Sequence, residues 1–73
     1  MTNRVRVVRE ARGMSAAELA RRAGISRSHL YLIEQGRTEP TVSVVLGLCR
    51  ALGVSFDELF GQHTDDQRVV DVS

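Results

Sequence analysis

Residues 15–36, SAAELARRAGISRSHLYLIEQG, decide the fold of this chain, because they have the pattern of two short helices joined by a tight turn. Ser15 and Glu18 have the spacing of a capping box at the start of the first helix. Gly24 is expected to end that helix, since glycine adopts the left-handed backbone conformation at low cost. Ser26 is a good cap for the second helix. The pattern therefore predicts a helix-turn-helix.

The outward face of the second of these helices, predicted over residues 27–35, is the predicted functional surface. At about 100° per residue, Leu30 and Ile33 fall together on the core side. Arg27 lies on the flank in the first turn, and the opposite side carries Ser28, Tyr31, Leu32 and Gln35. A merely solvated helix face is the alternative, but such a face seldom carries both leucine and tyrosine. In a DNA major groove, by contrast, a leucine can contact thymine methyl groups.

Residues 4–60 resemble the phage-repressor-like helix-turn-helix family of the Cro/CI (XRE) type. The matching residues run in order through all five predicted helices, which makes the resemblance more specific than a lone helix-turn-helix pattern. They are Arg9, Gly13-Met14-Ser15, Glu18-Leu19-Ala20, Gly24-Ile25-Ser26, Leu30, Ile33-Glu34, Gly36, Pro40 and Ala51-Leu52-Gly53-Val54. The resemblance implies an all-α, compact five-helix DNA-binding domain.

We expect this domain to cover residues 1–61, with helices over residues 2–12, 16–23, 27–35, 42–52 and 56–60. The remaining residues, 62–73, lack a helical period and are expected to form a flexible tail. Pairing of Val69, Val70 and Val72 as a short strand with the tail of a partner chain is the alternative. Cys49 is the single cysteine, and His29 and His63 are too isolated to form a metal site. No metal and no cofactor is predicted.

The resemblance implies that the helix over residues 27–35 enters the major groove of double-stranded DNA. Base contacts are then expected from Arg27, Ser28, Leu32 and Tyr31, with Arg27 suited to a bidentate contact with guanine. Phosphate contacts are expected from Ala16, Ala17, Ser26, Gln35, Arg37, Thr38 and Thr41. Two positions depart from the family, because Ala16 stands where glutamine is common and Glu39 would repel a phosphate.

Arg9 lies one turn after Val5, on the core side of the first helix, where an unpaired charge is costly. In the family, an arginine at this position pairs with a glutamate near the end of the third helix, which is Glu34 here. The resemblance therefore implies an ion pair that ties the first helix to the third. Two independent surface charges are the alternative.

The fourth helix is too apolar to have a single buried face. One apolar stripe, expected to face the core, consists of Val42, Val45, Leu46, Cys49 and Leu52, and Phe56 and Phe60 of the fifth helix are expected to close the core. The remaining apolar positions predict a homodimer interface formed by Val44, Leu48, Ala51 and Val54. Gly47 in the middle of the helix costs about 1 kcal/mol relative to alanine, which a close helix–helix approach would explain.

Charge is distributed unevenly, although the formal net charge is only +1. Residues 1–37 carry eight arginines and three glutamates, whereas residues 38–73 carry two arginines and six carboxylates. One positive end is therefore expected, and it would meet a phosphate backbone. No apolar run is long enough to span a membrane, and arginines interrupt residues 1–12. No membrane partner is predicted, and a cytoplasmic location is expected.

The predicted function is a sequence-specific transcriptional regulator that acts as a homodimer on an inverted repeat. It would be similar to Cro-like repressors and to the small controller proteins of restriction–modification systems. No carboxylate pair, nucleophile–histidine arrangement or phosphate loop is present, so no enzyme activity is predicted, and no small-molecule effector is implied. An antitoxin-type regulator and a protein-interaction adaptor that uses the fourth helix are the alternatives. Salt-sensitive duplex binding is expected only of a regulator.

Overall fold

The computed structural model describes residues 3–61, which form five helices and no strand. The helices are α1 (Val5–Ala11), α2 (Ala16–Ala23), α3 (Arg27–Glu34), α4 (Val42–Leu52) and α5 (Phe56–Phe60). The fold is all-α, as predicted, and α2, α4 and α5 have the predicted bounds. The tail predicted over residues 62–73 lies outside the described residues.

Helix α1 begins at Val5, three residues later than predicted, because the residues before it are hydrogen-bonded elsewhere. The side-chain oxygen of Asn3 accepts a hydrogen bond from the Val5 N–H at 3.0 Å, and its amide nitrogen donates to the Ile33 carbonyl at 2.8 Å. The Arg4 N–H donates to the carbonyl of Leu59 at 2.9 Å. Residues 3 and 4 thus connect α1 to α3 and α5 instead of extending the helix.

Helix α2 starts with only half of the predicted capping box. The Ser15 hydroxyl oxygen accepts a hydrogen bond from the Glu18 N–H at 3.1 Å, as expected. The Glu18 carboxylate does not return the contact, because it pairs with the guanidinium groups of Arg21 and Arg22 on the next turn. Hydrogen bonds from Arg21 and Arg22 lower the pKa of the Glu18 carboxyl. The expectation of a complete box at Ser15 is therefore wrong.

The core lies where α2, α3 and α4 meet, and α1 and α5 close it. Its most deeply buried large side chains are Val5, Leu19, Leu30, Ile33, Leu48, Leu52 and Leu59. Helix α4 approaches α2 closely at Gly47, where a Cβ atom would lie 2.9 Å from the carbonyl oxygen of Ala23. The close approach expected at Gly47 is therefore a contact within the chain, and it sets the position of α2 over the core.

The core face of α4 differs from the predicted stripe. Val45, Leu48 and Leu52 are buried, whereas Val42 and Leu46, which were predicted to face the core, are 77% and 49% exposed. The helix is rotated toward Leu48 because burying a leucine removes more apolar surface from water than burying Cys49, which stays half-buried.

The prediction that both phenylalanines of α5 close the core is also half wrong. Phe60 is buried, but Phe56 is 56% exposed and stacks on Phe60 with ring centroids 5.7 Å apart. The helix has five residues and one buried face, which Leu59 and Phe60 fill. Phe56 therefore adds an apolar ring to the surface next to the corner between α4 and α5.

Candidate nucleic-acid interface

Helix α3 separates its side chains into a buried face and an exposed face. Leu30 and Ile33 are fully buried, and their spacing places them on the same side of the helix. Tyr31 and Leu32 are 56% and 39% exposed, although both are large and largely apolar. The Ser26 hydroxyl oxygen caps the helix by accepting a hydrogen bond from the His29 N–H at 3.0 Å. The outward face is therefore not needed to hold the helix against the core.

This face of α3 forms one wall of a surface concavity of about 810 Å³. Helix α1 and the first turn of α2 form the other wall. The lining residues are Arg6, Arg9, Ala16, Arg27, Ser28, Tyr31, Leu32, Glu34 and Gln35. The concavity thus brings together all the predicted base-contacting residues and two of the predicted phosphate-contacting residues, Ala16 and Gln35.

Positive charge in the concavity is available to a ligand at Arg27. Within residues 3–61, its guanidinium forms no hydrogen bond or ion pair. Arg27 is exposed and occupies the first position of α3, so its long side chain can reach beyond the helix end. An unpaired arginine at the front of an exposed helix suits recognition of an anion or of the O6 and N7 atoms of guanine.

Arg9 of α1 also lines the concavity, and it forms the predicted ion pair with Glu34. Its Nε donates to Glu34 Oε2 at 2.8 Å and its Nη2 donates to Oε1 at 3.2 Å, which makes the pair bidentate. A third donor, Nη1, bonds to the Met14 carbonyl at 3.0 Å. Hydrogen bonding to Glu34 raises the pKa of Arg9 further, against the opposing effect of burial. The pair joins α1 to the end of α3 and leaves α3 fixed in orientation.

Comparison with known proteins identifies the family of this chain. A family described as "Helix-turn-helix domain" matches residues 1–60. The chain belongs to the helix-turn-helix family of the Cro/CI (XRE) type. Members of this family are DNA-binding transcriptional regulators.

Two curated relatives and one solved structure show the range of helix-turn-helix proteins that this chain resembles. An uncharacterized HTH-type transcriptional regulator of Sinorhizobium fredii is 40% identical over 71% of this chain and 26% of the relative. The immunity repressor of Bacillus phage phi105 is 33% identical over 84% of this chain and 42% of the repressor. The chain thus spans less than half the length of these two relatives.

The solved structure is that of the restriction–modification controller protein C.AhdI from Aeromonas hydrophila. It matches with a TM-score of 0.74 and 35% identity, and the match covers 78% of this chain and 86% of the controller. The similarity therefore extends over most of a small helix-turn-helix protein, and not only over its two central helices.

The other predicted phosphate contacts of this helix-turn-helix domain lie outside the concavity. They are Ala17, Ser26, Arg37, Thr38 and Thr41. Arg37 is exposed and its guanidinium has no partner within residues 3–61, whereas the Thr41 hydroxyl oxygen accepts a hydrogen bond from the Val44 N–H at 3.3 Å. Glu39, the residue expected to repel phosphate, is exposed as well.

The predicted homodimer interface needs one correction. Leu48 is fully buried in the core of its own chain, so the prediction that it forms part of a dimer contact is wrong. Val44, Ala51 and Val54 are half-buried and pack against the core from outside. The most exposed large apolar side chain of α5, Phe56, was not predicted for this surface.

Sequence reasoning also missed Arg6. This residue lies on the same side of α1 as Arg9, close to one turn earlier, and lines the concavity. The available signal was the spacing of three residues between Arg6 and Arg9, which places both on one side of a helix. Exposed charged helix faces are common, so this spacing alone did not identify Arg6.

Residues 3–61 contain no group of three or more His, Cys, Asp or Glu side chains placed to hold a metal ion. None of the described helices has the length and apolar character needed to cross a membrane.

Proposed function

We propose that this chain is a sequence-specific transcriptional regulator that binds an inverted-repeat operator as a homodimer, with α3 in the major groove. The observation that carries the proposal is the exposed face of α3. It presents Tyr31 and Leu32 next to the unpaired guanidinium of Arg27, in a concavity that no described side chain fills. Exposing two large apolar side chains is unfavourable in water, and contact with DNA bases gives them a function.

Each side chain on the face has a distinct role in this proposal. Arg27 makes a bidentate contact with guanine, the commonest specific pairing in the major groove. Leu32 contacts a thymine methyl group, and Ser28 contacts a base edge. Tyr31 contributes a further base contact. The N-terminal end of α3 enters the groove first, which is consistent with Arg27 and Ser28 being its first two residues.

Phosphate contacts would fix the register of the domain on the duplex. The first N–H groups of α2, at Ala16 and Ala17, have no acceptor within the helix and point toward any anion at its start. These amides replace the contact that a glutamine side chain at residue 16 would supply. Further phosphate contacts in this proposal come from Ser26, Gln35, Arg37, Thr38 and Thr41.

The homodimer contact in this proposal lies at the corner between α4 and α5. Ala51 and Val54 border the core there, Phe56 adds an exposed ring two residues after Val54, and Val44 in the first turn of α4 extends the contact along the helix. A two-fold axis through this corner would present two α3 helices to half-sites about 34–36 Å apart. The operator is therefore expected to be an inverted repeat.

The test is selection from a pool of randomised duplexes at moderate and at higher salt, followed by sequencing of the retained DNA. An enriched inverted repeat that disappears in Arg27→Ala supports the proposal. Arg50→Ala is the matched control, because Arg50 is equally an exposed arginine without a partner within residues 3–61 but lies outside the concavity. Retention without any enriched sequence would leave a nonspecific DNA-binding protein. Absence of retention at both salt concentrations would overturn the proposal.

The dimer contact has its own test, which is the molecular mass in solution by sedimentation equilibrium. Phe56→Ser is expected to weaken self-association, because it removes a ring that is 56% exposed, although the stacking contact with Phe60 is lost as well. Val42→Ser is the control, since Val42 is even more exposed but points about 200° away from Val44 around α4 and lies at the far end of the helix from the corner. A dimer weakened by Val42→Ser and not by Phe56→Ser would move the interface to the start of α4.

A second candidate function follows from the exposed apolar side chains of α4. Val42 and Leu46 lie one turn apart and are 77% and 49% exposed, so they form a small apolar surface suited to a protein partner. An adaptor, or an antitoxin-type regulator that binds a toxin as well as DNA, would use this surface. If the chain retains no duplex, this surface becomes the main candidate. If Leu46→Ser leaves DNA binding intact, the surface is separate from DNA recognition.

A further inference from the structure

We propose that Arg6 of α1 is an additional phosphate contact of the DNA interface, and that Glu10 competes with the phosphate for its guanidinium. This inference rests on the proposed function. It adds to that function a phosphate contact from α1, a helix outside the helix-turn-helix. It also adds a carboxylate, Glu10, that weakens this contact by binding Arg6 in the free protein.

The position of Arg6 is the first observation. Arg6 lines the same concavity as Arg27, Leu32 and Gln35, although it belongs to α1 and those residues belong to α3. A duplex that places its major groove over α3 would bring one sugar–phosphate strand along the edge of this concavity. An exposed arginine on the opposite wall is therefore well placed to reach a phosphate rather than a base.

The state of the Arg6 guanidinium is the second observation. Its Nε donates to Glu10 Oε2 at 3.2 Å, and no hydrogen bond of its two Nη groups occurs within residues 3–61. The side chains of Arg6 and Glu10 are 60% and 56% exposed, and exposed pairs of this kind contribute little to stability. Arg6 can therefore leave Glu10 for a phosphate oxygen at little cost.

The neighbouring arginine of α1 shows the contrast. Arg9 lines the same concavity, but its side chain is only 12% exposed and is held by both carboxylate oxygens of Glu34 and by the Met14 carbonyl. All of its nitrogen atoms thus have acceptors, and exchange for a phosphate would leave Glu34 buried without a partner. Of the two α1 arginines in the concavity, only Arg6 is exchangeable.

Glu10 acts against DNA binding in this arrangement. When Arg6 moves to a phosphate, its hydrogen bond to the Glu10 carboxylate is lost, so DNA binding is weakened by the small free energy of this exposed pair. This cost does not depend on base identity. Glu10 is therefore expected to weaken binding to every duplex by a similar factor, while the enriched sequence stays the same.

The test compares the salt dependence of affinity for one selected duplex among the unaltered chain and four variants. Arg6→Ala removes one phosphate contact per chain, so the slope of log K against log salt becomes less steep by about 1.8 per dimer. Affinity at low salt is expected to fall roughly tenfold for each contact, and so roughly a hundredfold for the dimer, as for the loss of two charge-assisted hydrogen bonds. Arg4→Ala is the matched control, because Arg4 is an exposed arginine next to α1 that does not line the concavity.

Glu10→Gln tests the competition. It is expected to strengthen binding several-fold in the presence of Arg6, and to have a much smaller effect in the Arg6→Ala background, because coupled groups are not additive. An equal gain in both backgrounds would show that Glu10 acts by general repulsion, which overturns the competition.

A salt slope and an affinity of Arg6→Ala equal to those of Arg4→Ala would overturn the phosphate contact of Arg6. If the unaltered chain binds no duplex at all, the proposed function fails and the inference fails with it, whereas normal sequence-specific binding by Arg6→Ala overturns only the inference.

Discussion

Arg9 and Glu34 join α1 to the C-terminal end of α3 through two parallel hydrogen bonds of 2.8 and 3.2 Å. Both side chains are nearly buried, with 12% and 7% exposed. The remaining Arg9 nitrogen bonds to the Met14 carbonyl, immediately before the cap of α2. One guanidinium thus connects three elements, and it fixes the direction in which α3 presents its outer face.

Removal of either partner of this pair is expected to destabilise the fold strongly. Arg9→Leu or Glu34→Leu should each lower the free energy of unfolding by about 3 kcal/mol, because each leaves a buried charge without a partner. The double variant should lose clearly less than the sum of the two losses, since no charge remains. Urea unfolding of the unaltered chain, the two single variants and the double variant measures these losses in the free energy of unfolding. Single variants within about 0.5 kcal/mol of the unaltered chain would show that the pair is only a surface contact.

Gly47→Ala is expected to destabilise the protein, although alanine is the better helix former by about 1 kcal/mol. The new Cβ would lie 2.9 Å from the carbonyl oxygen of Ala23, a backbone atom that cannot move without shifting α2 against α4. Overpacking of this kind costs about 1–3 kcal/mol, which exceeds the gain in propensity. Thermal unfolding measures the sign of the difference.

Ser43→Ala is the control for Gly47→Ala. Ser43 is exposed on the same helix, so its replacement changes helix propensity without adding a contact to α2. The melting temperature of Ser43→Ala is expected to stay the same or rise slightly. A similar rise in the melting temperature of Gly47→Ala would mean that α2 can shift away from α4 at little cost. The close approach would then contribute nothing to the position of the helix-turn-helix.

Most of the fold could be predicted because its signals are local. Gly24 and Gly53 adopt left-handed backbone conformations at the ends of α2 and α4, with φ of 75° and 69°, and serine and threonine caps mark the starts of α2 to α5. The start of α1 could not be predicted, because Asn3 finds its partner at Ile33, 30 residues away. Such a partner becomes visible only when the helices are assembled.

The outward face of α3 could be predicted from helical period alone, since Leu30 and Ile33 define the buried side. The rotation of α4 could not. Its apolar residues surround the helix, so periodicity does not separate Leu48 from Val42 and Leu46, and the contact with α2 decides which are buried. Arg6 was missed for a related reason, since its place in the concavity depends on how α1 packs beside α3.

Cys49 is expected to react slowly in the folded protein. Burial raises the pKa of its thiol, and the negative charge of Glu58 adds to this effect, so less thiolate is present at a given pH than in the unfolded chain. The stabilising effect of the neutral thiol is complete below the unfolded pKa and is lost as pH rises through the folded one. Alkylation by iodoacetamide between pH 7 and about 9, with and without urea, measures the difference. Equal rates in both states would contradict the prediction.

Leu30 and Leu32 lie two residues apart on α3, and their replacement by alanine is expected to change stability by very different amounts. Leu30 is fully buried, so Leu30→Ala should lower the free energy of unfolding by about 2–5 kcal/mol. Leu32 is 39% exposed on the outward face, so Leu32→Ala should cost less than about 1 kcal/mol, as is usual for replacements outside the core. Urea unfolding of both variants separates the structural face of the helix from its outer face.

The Leu32→Ala variant also tests the recognition of DNA bases. Leu32→Ala is expected to remain folded and to lose its preference for thymine at one position of each half-site, because the contact with the thymine methyl group is gone. The preference set by Arg27 should persist, since that side chain is unchanged. Duplex selection with the folded variant measures both positions at once. An unchanged thymine preference in Leu32→Ala would remove Leu32 from the base contacts and leave Tyr31 as the apolar residue that reads the groove.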